Sequence, residues 1–151
     1  MGIKERNVVA IRAITRSDAK DAAELSAELG YPVPVGEMEA RIDQFAGMKD
    51  HAVYVASLED RIVGWIDVGI VQHLQSGPYG EIGGLIVSQK YQGCGIGRQL
   101  IEKAEEWIAG RGVSKVVVRS QISRERAHNF YLQQNFLRVK TSAVFTKMLG
   151  G

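Results

Sequence analysis

Seven residues, Gln92-Gly93-Cys94-Gly95-Ile96-Gly97-Arg98, place three alternating glycines between a β-like run and a strongly amphipathic stretch. A strand, a glycine turn and a helix in succession mark an α/β chain. The turn is also suited to an anion. The first N–H groups of a helix have no intrahelical partner, and the dipole adds about half a positive charge there. Glycines let phosphate oxygens reach those donors with no Cβ in the way. The helix puts Ile96, Leu100, Ile101, Ala104, Trp107 and Ile108 on one face. Glu102, Lys103, Glu105 and Glu106 face outward, and Gly110 and Gly112 end it. Two nucleotide readings fail. A P-loop needs Lys-Ser/Thr after its last glycine, but Gly97 is followed by Arg98-Gln99. The dinucleotide fingerprint, counted from Gly93, has Arg98 where its last glycine belongs. A turn that merely packs is the plain alternative.

The rest of the chain supplies a sheet. Residues 8–14 read as a first strand, and Ser17 as an N-cap for a helix carrying Ala22, Leu25 and Leu29 and stopping at Gly30. Tyr31 to Gly36 cannot continue that helix because of Pro32 and Pro34. Met38, Ile42 and Phe45 mark a second helix ending near Gly47. Ala52–Leu58 and Ile62–Val71 form a predicted hairpin about Glu59-Asp60-Arg61. Gln75 to Pro78 breaks the chain, and Tyr79–Val87 is a third run with Gly83-Gly84 inside it. Glycines within a strand often mark a bulge. Val116–Val118 is a short strand, Arg124–Gln134 a helix, and 137–140 with 143–148 a closing hairpin. The predicted fold is α/β, one domain over 1–151, a mixed sheet in the order β-α-α-β-β-β-α-β-α-β-β.

Composition narrows the function. A net charge of +2 is too small to suggest nucleic-acid binding. One cysteine, Cys94, rules out a disulfide framework, and the spacing of His51, His73 and His128 gives no metal motif. No metal is expected. No run approaches the roughly 20 apolar residues of a membrane span. Met1 to Arg6 has neither an apolar leader core nor Ser/Thr at position 6, so neither secretion nor myristoylation is expected. These points indicate a cytoplasmic protein with no nucleic-acid or membrane partner.

Gln92-Gly93-Cys94-Gly95-Ile96-Gly97 resembles the Gln/Arg-x-x-Gly-x-Gly/Ala motif of the GNAT acetyltransferase superfamily. Glu81 to Val87 resembles that family's bulged fourth strand, and Ala127 to Phe136 its Ala-x-x-Phe-Tyr-x-x-x-Gly-Phe block. The resemblance covers essentially the whole chain in element order. It implies acetyl-CoA as cosubstrate, with Gln92, Gly93, Cys94, Gly95, Ile96, Gly97 and Arg98 on the diphosphate. Leu85, Ile86 and Val87 would lie along the pantetheine arm and supply the oxyanion donor. Two positions depart. Asn135 replaces the usual glycine, and asparagine tolerates the left-handed conformation best after it. Arg124 replaces an asparagine common in the family; it or Arg126 would then meet a CoA phosphate. The family's dimers, often built by the final strands, leave a homodimer open here.

The chemistry this implies is acetyl transfer to a primary amine, by direct attack in a ternary complex. A small-molecule acceptor is favoured; a peptide N-terminus is the other option. The resemblance puts Tyr131 beside the CoA sulfur, and a phenol can protonate a thiolate. Packing is its ordinary alternative. Glu81, at the start of the bulged strand, is the expected base, with Asp67 and His73 behind it. Cys94 at a helix N-terminus would be reactive, but no histidine stands near it in sequence, so an acyl-cysteine route is set aside. His128 reads as a packed or solvated side chain. Tyr31, Glu37 and Trp65 are candidates for lining the acceptor pocket, and Trp65 is equally a core residue. The rival from another class is a non-catalytic CoA-binding regulatory module.

Overall fold

The computed structural model describes residues 8–150. The stretch Met1–Arg6, expected to carry no leader or acylation signal, lies outside them. Two compact units divide between Val118 and Arg119. The first holds β1 (Ala10–Ala13), α1 (Ala19–Glu28), α2 (Val35–Ala46), β2 (His51–Leu58), β3 (Arg61–His73), β4 (Gly77–Val87), α3 (Ile96–Gly110) and β5 (Val116–Val118). The second holds α4 (Glu125–Gln133) and an irregular segment after it.

The sheet runs β1-β2-β3-β4-β5. The first four strands pair antiparallel and β5 lies parallel to β4, so the sheet is mixed, as expected. The predicted order is met through α4. The closing strands at 137–140 and 143–148 are not formed. Alternation makes a strand only where a neighbour supplies ladder partners. Here Leu137, Val139, Val144, Phe145 and Met148 stay exposed instead.

Local chemistry corrects three boundaries. Ser17 is not the cap of α1. Asp18 accepts the Thr15 N–H (2.8 Å) and is gripped by both guanidinium nitrogens of Arg12, ending a 3-10 turn from which α1 departs. The second helix starts at Val35, inside the stretch that the prolines were expected to exclude. Pro34 caps it, its carbonyl accepting the Met38 N–H, because only its own N–H is missing. Gly77-Pro78 opens β4 rather than lying in the break before it. The β2–β3 turn needs positive φ at both central residues, and Glu59 and Asp60 adopt it at 49° and 64°.

The two faces of the sheet differ. Ala19, Ala22 and Ala23 of α1 and Met38 and Ile42 of α2 form an apolar cluster against which Trp65 packs. Residues alternate across a strand, so Trp65, Asp67 and Gly69 of β3 share this face. On the other face α3 sits close. A Cβ on Gly64 would meet Leu100 at 3.3 Å, and one on Gly80 would overlap Ile108. Ile66, Leu100, Ile101 and Ile108 are almost wholly buried there. Each such side chain contributes about 1.5–3 kcal/mol.

Candidate active site

The bulge predicted from Gly83-Gly84 is present. Asp67 pairs with Gly84 and Val68 with Ile82, which leaves Gly83 as the extra residue of β4. This reverses the direction of the backbone groups downstream. Upstream, the Gly80 N–H bonds outward to Lys115 beside β5. Downstream, the Ser88 N–H bonds inward to the Val63 carbonyl. Alternation from Ser88 then turns Ile86 toward β3, and Leu85 and Val87 toward the outer edge. The pairing with β5 covers only Gly80–Ile82, so that outer edge is open beyond it among the described strands. Of the three β4 residues expected to serve the cofactor, Leu85 and Val87 offer an N–H there, and Ile86 directs its own to β3.

The glycine loop follows this edge directly. Gly93 and Gly95 take φ of 80° and 84°, which glycine adopts without strain. Gly95 caps α3, leaving the N–H groups of Ile96, Gly97 and Arg98 without intrahelical acceptors. Gly93, Cys94 and Arg98 are exposed. Gln92 turns back, its Nε2 donating to the Val87 carbonyl at 3.3 Å. The loop is thereby tied to the open edge. A cavity of about 520 Å³ borders it through Gly93, Cys94 and Ile96.

A carboxyl pair lies on the Trp65 face. Glu81 pairs with Gly69 and is partly buried. Asp67 sits one step along, its Oδ2 3.1 Å from where a Cβ on Gly84 would stand. Burial pushes the Asp67 carboxyl up to about 6; the His51 charge opposes this and the Glu81 charge adds to it. His51 pairs with Gly69 from β2, so its ring covers that glycine and meets Phe45 edge-on at 5.6 Å. The Trp65 Nε1 is buried with no hydrogen-bond partner among the described residues. His73 is exposed at the far end of β3, opposite Gly77, and does not join this group. Tyr31 is exposed, and Glu37 pairs with Arg41. The sequence places Asp67 behind Glu81 as a base and assigns His51 no role. The available signal is a lone acid in the otherwise apolar run Ile62–Val71.

In the second unit, Tyr131 packs edge-on between Phe130 and Phe136. Burial holds its phenol above the ordinary value of 10, with the Arg124 charge acting the other way. It therefore stays protonated as a donor. Arg124 caps α4 and is exposed, as is Arg126. His128 holds the Gln121 carbonyl at 2.8 Å. Asn135 takes φ of 69°. The Phe136 N–H then reaches the Tyr131 carbonyl, which closes the helix as glycine would. Among the described residues no group of three or more His, Cys, Asp or Glu could hold a metal, and no helix is long and apolar enough to cross a membrane.

The profile of the acetyltransferase (GNAT) family matches residues 16–136. An aminoglycoside N(6')-acetyltransferase type 1 of Stenotrophomonas maltophilia is 28% identical over 123 residues, 78% of this chain and 79% of that protein. The crystal structure of the aminoglycoside antibiotic 6'-N-acetyltransferase AAC(6')-Ih from Acinetobacter baumannii superposes with a TM-score of 0.82 at 17% identity. It covers 95% of this chain and 100% of that one. Aminoglycoside N-acetyltransferase AAC(6')-Iy, in complex with CoA, gives 0.83 at 16% identity, covering 95% and 97%.

Proposed function

We propose that this chain, which belongs to the GNAT acetyltransferase family, moves an acetyl group from acetyl-CoA to a primary amine of a small molecule. Acetyl-CoA is the family's cosubstrate. The carrying observation is the continuity of the open β4 edge with the glycine loop, tied through Gln92 and Val87. An extended amide-bearing arm fits the first as an added strand, and a diphosphate fits the second. Leu85 and Val87 would hold the arm and meet the developing oxyanion. Gln92 would hold the loop in place. Gly93, Cys94, Gly95, Ile96, Gly97 and Arg98 would clasp the diphosphate, with Arg124 a further phosphate contact.

The two units together would form one N-acetyltransferase domain over 1–151. Tyr131 would give its proton to the leaving sulfur, since its phenol remains protonated at working pH. Glu81 would meet the incoming amine on the Trp65 face. Relatives that acetylate aminoglycosides favour an acceptor with several amines over a peptide N-terminus.

The test is release of the CoA thiol with a panel of aminoglycosides, polyamines and peptides, beside calorimetry with acetyl-CoA. Tyr131→Phe is expected to lose turnover and Glu81→Gln to lower it, both keeping acetyl-CoA binding. Tight CoA binding with no turnover on any amine would identify a regulatory module instead. Turnover confined to peptides would reassign the acceptor.

A further inference from the structure

The geometry points to Asp67 as the group that takes the proton from the acceptor ammonium, with Glu81 as its partner carboxylate. This rests on the acetyltransferase reading above and deepens it. Asp67 lies against Gly83 and Gly84, at the point where β4 changes from pairing with β5 to presenting an open edge. No side chain on those glycines shields it from that edge. Gly83 itself is exposed, and Asp67 is partly buried rather than sealed in the core.

Its surroundings set its affinity for a proton. Glu81 faces it from β4 and His51 from β2, the two charges acting in opposite senses. From α1 and α2 the same face receives Ala19, Ala22, Ala23, Met38 and Ile42. The charged residues of α2 are engaged elsewhere: Glu37 with Arg41, and Glu39 and Asp43 with Arg16. A carboxyl with a value of about 6 is ionised at neutral pH yet holds a proton far better than an exposed aspartate. That is the compromise a general base needs.

The proton balance is complete. The ammonium gives one proton to the Asp67 carboxylate. The freed nitrogen forms its bond to the thioester carbonyl carbon, and the carbon–sulfur bond breaks. The leaving sulfur takes up one proton, matched by the second one that the nitrogen gives up. Asp67 then releases its proton to water. The net change is ammonium plus thioester to amide, thiol and one proton.

The test is kcat/KM against pH for the wild type, Asp67→Asn and Glu81→Gln, on an amine that the wild type accepts. Calorimetry with acetyl-CoA and a thermal melt run on each. The wild type should show an acid limb near pH 6. Asp67→Asn should lose at least about 100-fold in kcat, keep its acetyl-CoA affinity and lose the limb. Glu81→Gln should move the limb to lower pH, because one charge raising Asp67 is gone. If Asp67→Asn does not fold, the carboxyl carbon resonance of Asp67 in the wild type takes its place. It should titrate near pH 6 and respond to the accepted amine. An Asp67→Asn enzyme within threefold of wild type with an unmoved limb overturns the assignment, as does an unresponsive resonance. A wild type that neither binds acetyl-CoA nor turns over any amine instead overturns the acetyltransferase reading, and the assignment with it.

Discussion

The Asp67 carboxylate fills the space that a side chain at position 83 would need. Its Oδ1 overlaps the place of a Gly83 Cβ, and its Oδ2 stands 3.1 Å from that of Gly84. Gly83→Ala should therefore push the carboxylate aside. The expected cost is about 1–3 kcal/mol by urea denaturation. Asp67→Ala in the same chain should remove most of that cost, because the clash then has no second partner. Equal costs in both backgrounds would show that the strand, not Asp67, requires the glycine.

The position of Asp67 also sets a pH dependence. Raising its carboxyl from 3.8 to about 6 corresponds to about 3 kcal/mol against the ionised folded state. The folded chain binds more protons than the unfolded one between those values. This contribution therefore lowers stability as pH rises through that window, and the loss persists above it. Asp67→Asn should be more stable than wild type at pH 8, by up to about 3 kcal/mol, and should lose that advantage near pH 4. Paired urea titrations at the two pH values measure it. A difference independent of pH would mean that Asp67 does not titrate in this range.

Gly95 sits at φ 84°, and a Cβ added there would meet nothing within 4 Å. Gly95→Ala should thus cost only the backbone term, about 1–2 kcal/mol. Acetyl-CoA affinity should fall about tenfold, since a methyl group would stand before the helix donors. Calorimetry separates the two effects. Loss of stability with unchanged affinity would move the diphosphate away from this turn.

Asn135 offers a contrasting case. Asn135→Gly should keep the helix stop and gain a few tenths of a kcal/mol, and Asn135→Ala should lose about 1 kcal/mol. Thermal melts of the two variants settle the order. The reverse order would mean that the side chain, not the left-handed backbone, holds the stop.

Legibility in the sequence follows the range of each interaction. The Gly83 bulge, the left-handed Asn135 and the glycine loop depend on backbone conformation within a few residues, and all are readable. The hairpin of β2 and β3 is readable for the same reason. The start of α2 at Val35 escapes because Pro34 forbids a helix before it but suits the cap. The closing strands mislead because alternation records a preference for a ladder, not the presence of a partner. His51 and the environment of Asp67 come together only through the pairing of β2, β3 and β4, which brings residues 51, 67 and 81 onto one face. Local pattern carries no trace of that meeting.

The extra residue at Gly83 makes the length of β4 part of its function. An ordinary strand can lose a residue near its end at modest expense. Here a deletion between Ile82 and Val87 would flatten the ladder and exchange inward and outward amides along everything that follows. Leu85 and Val87 would be consumed by β3, and the carbonyl that Gln92 grips would face the wrong way. Natural variants of this chain should accordingly tolerate many side-chain exchanges in that stretch but almost no change in residue count.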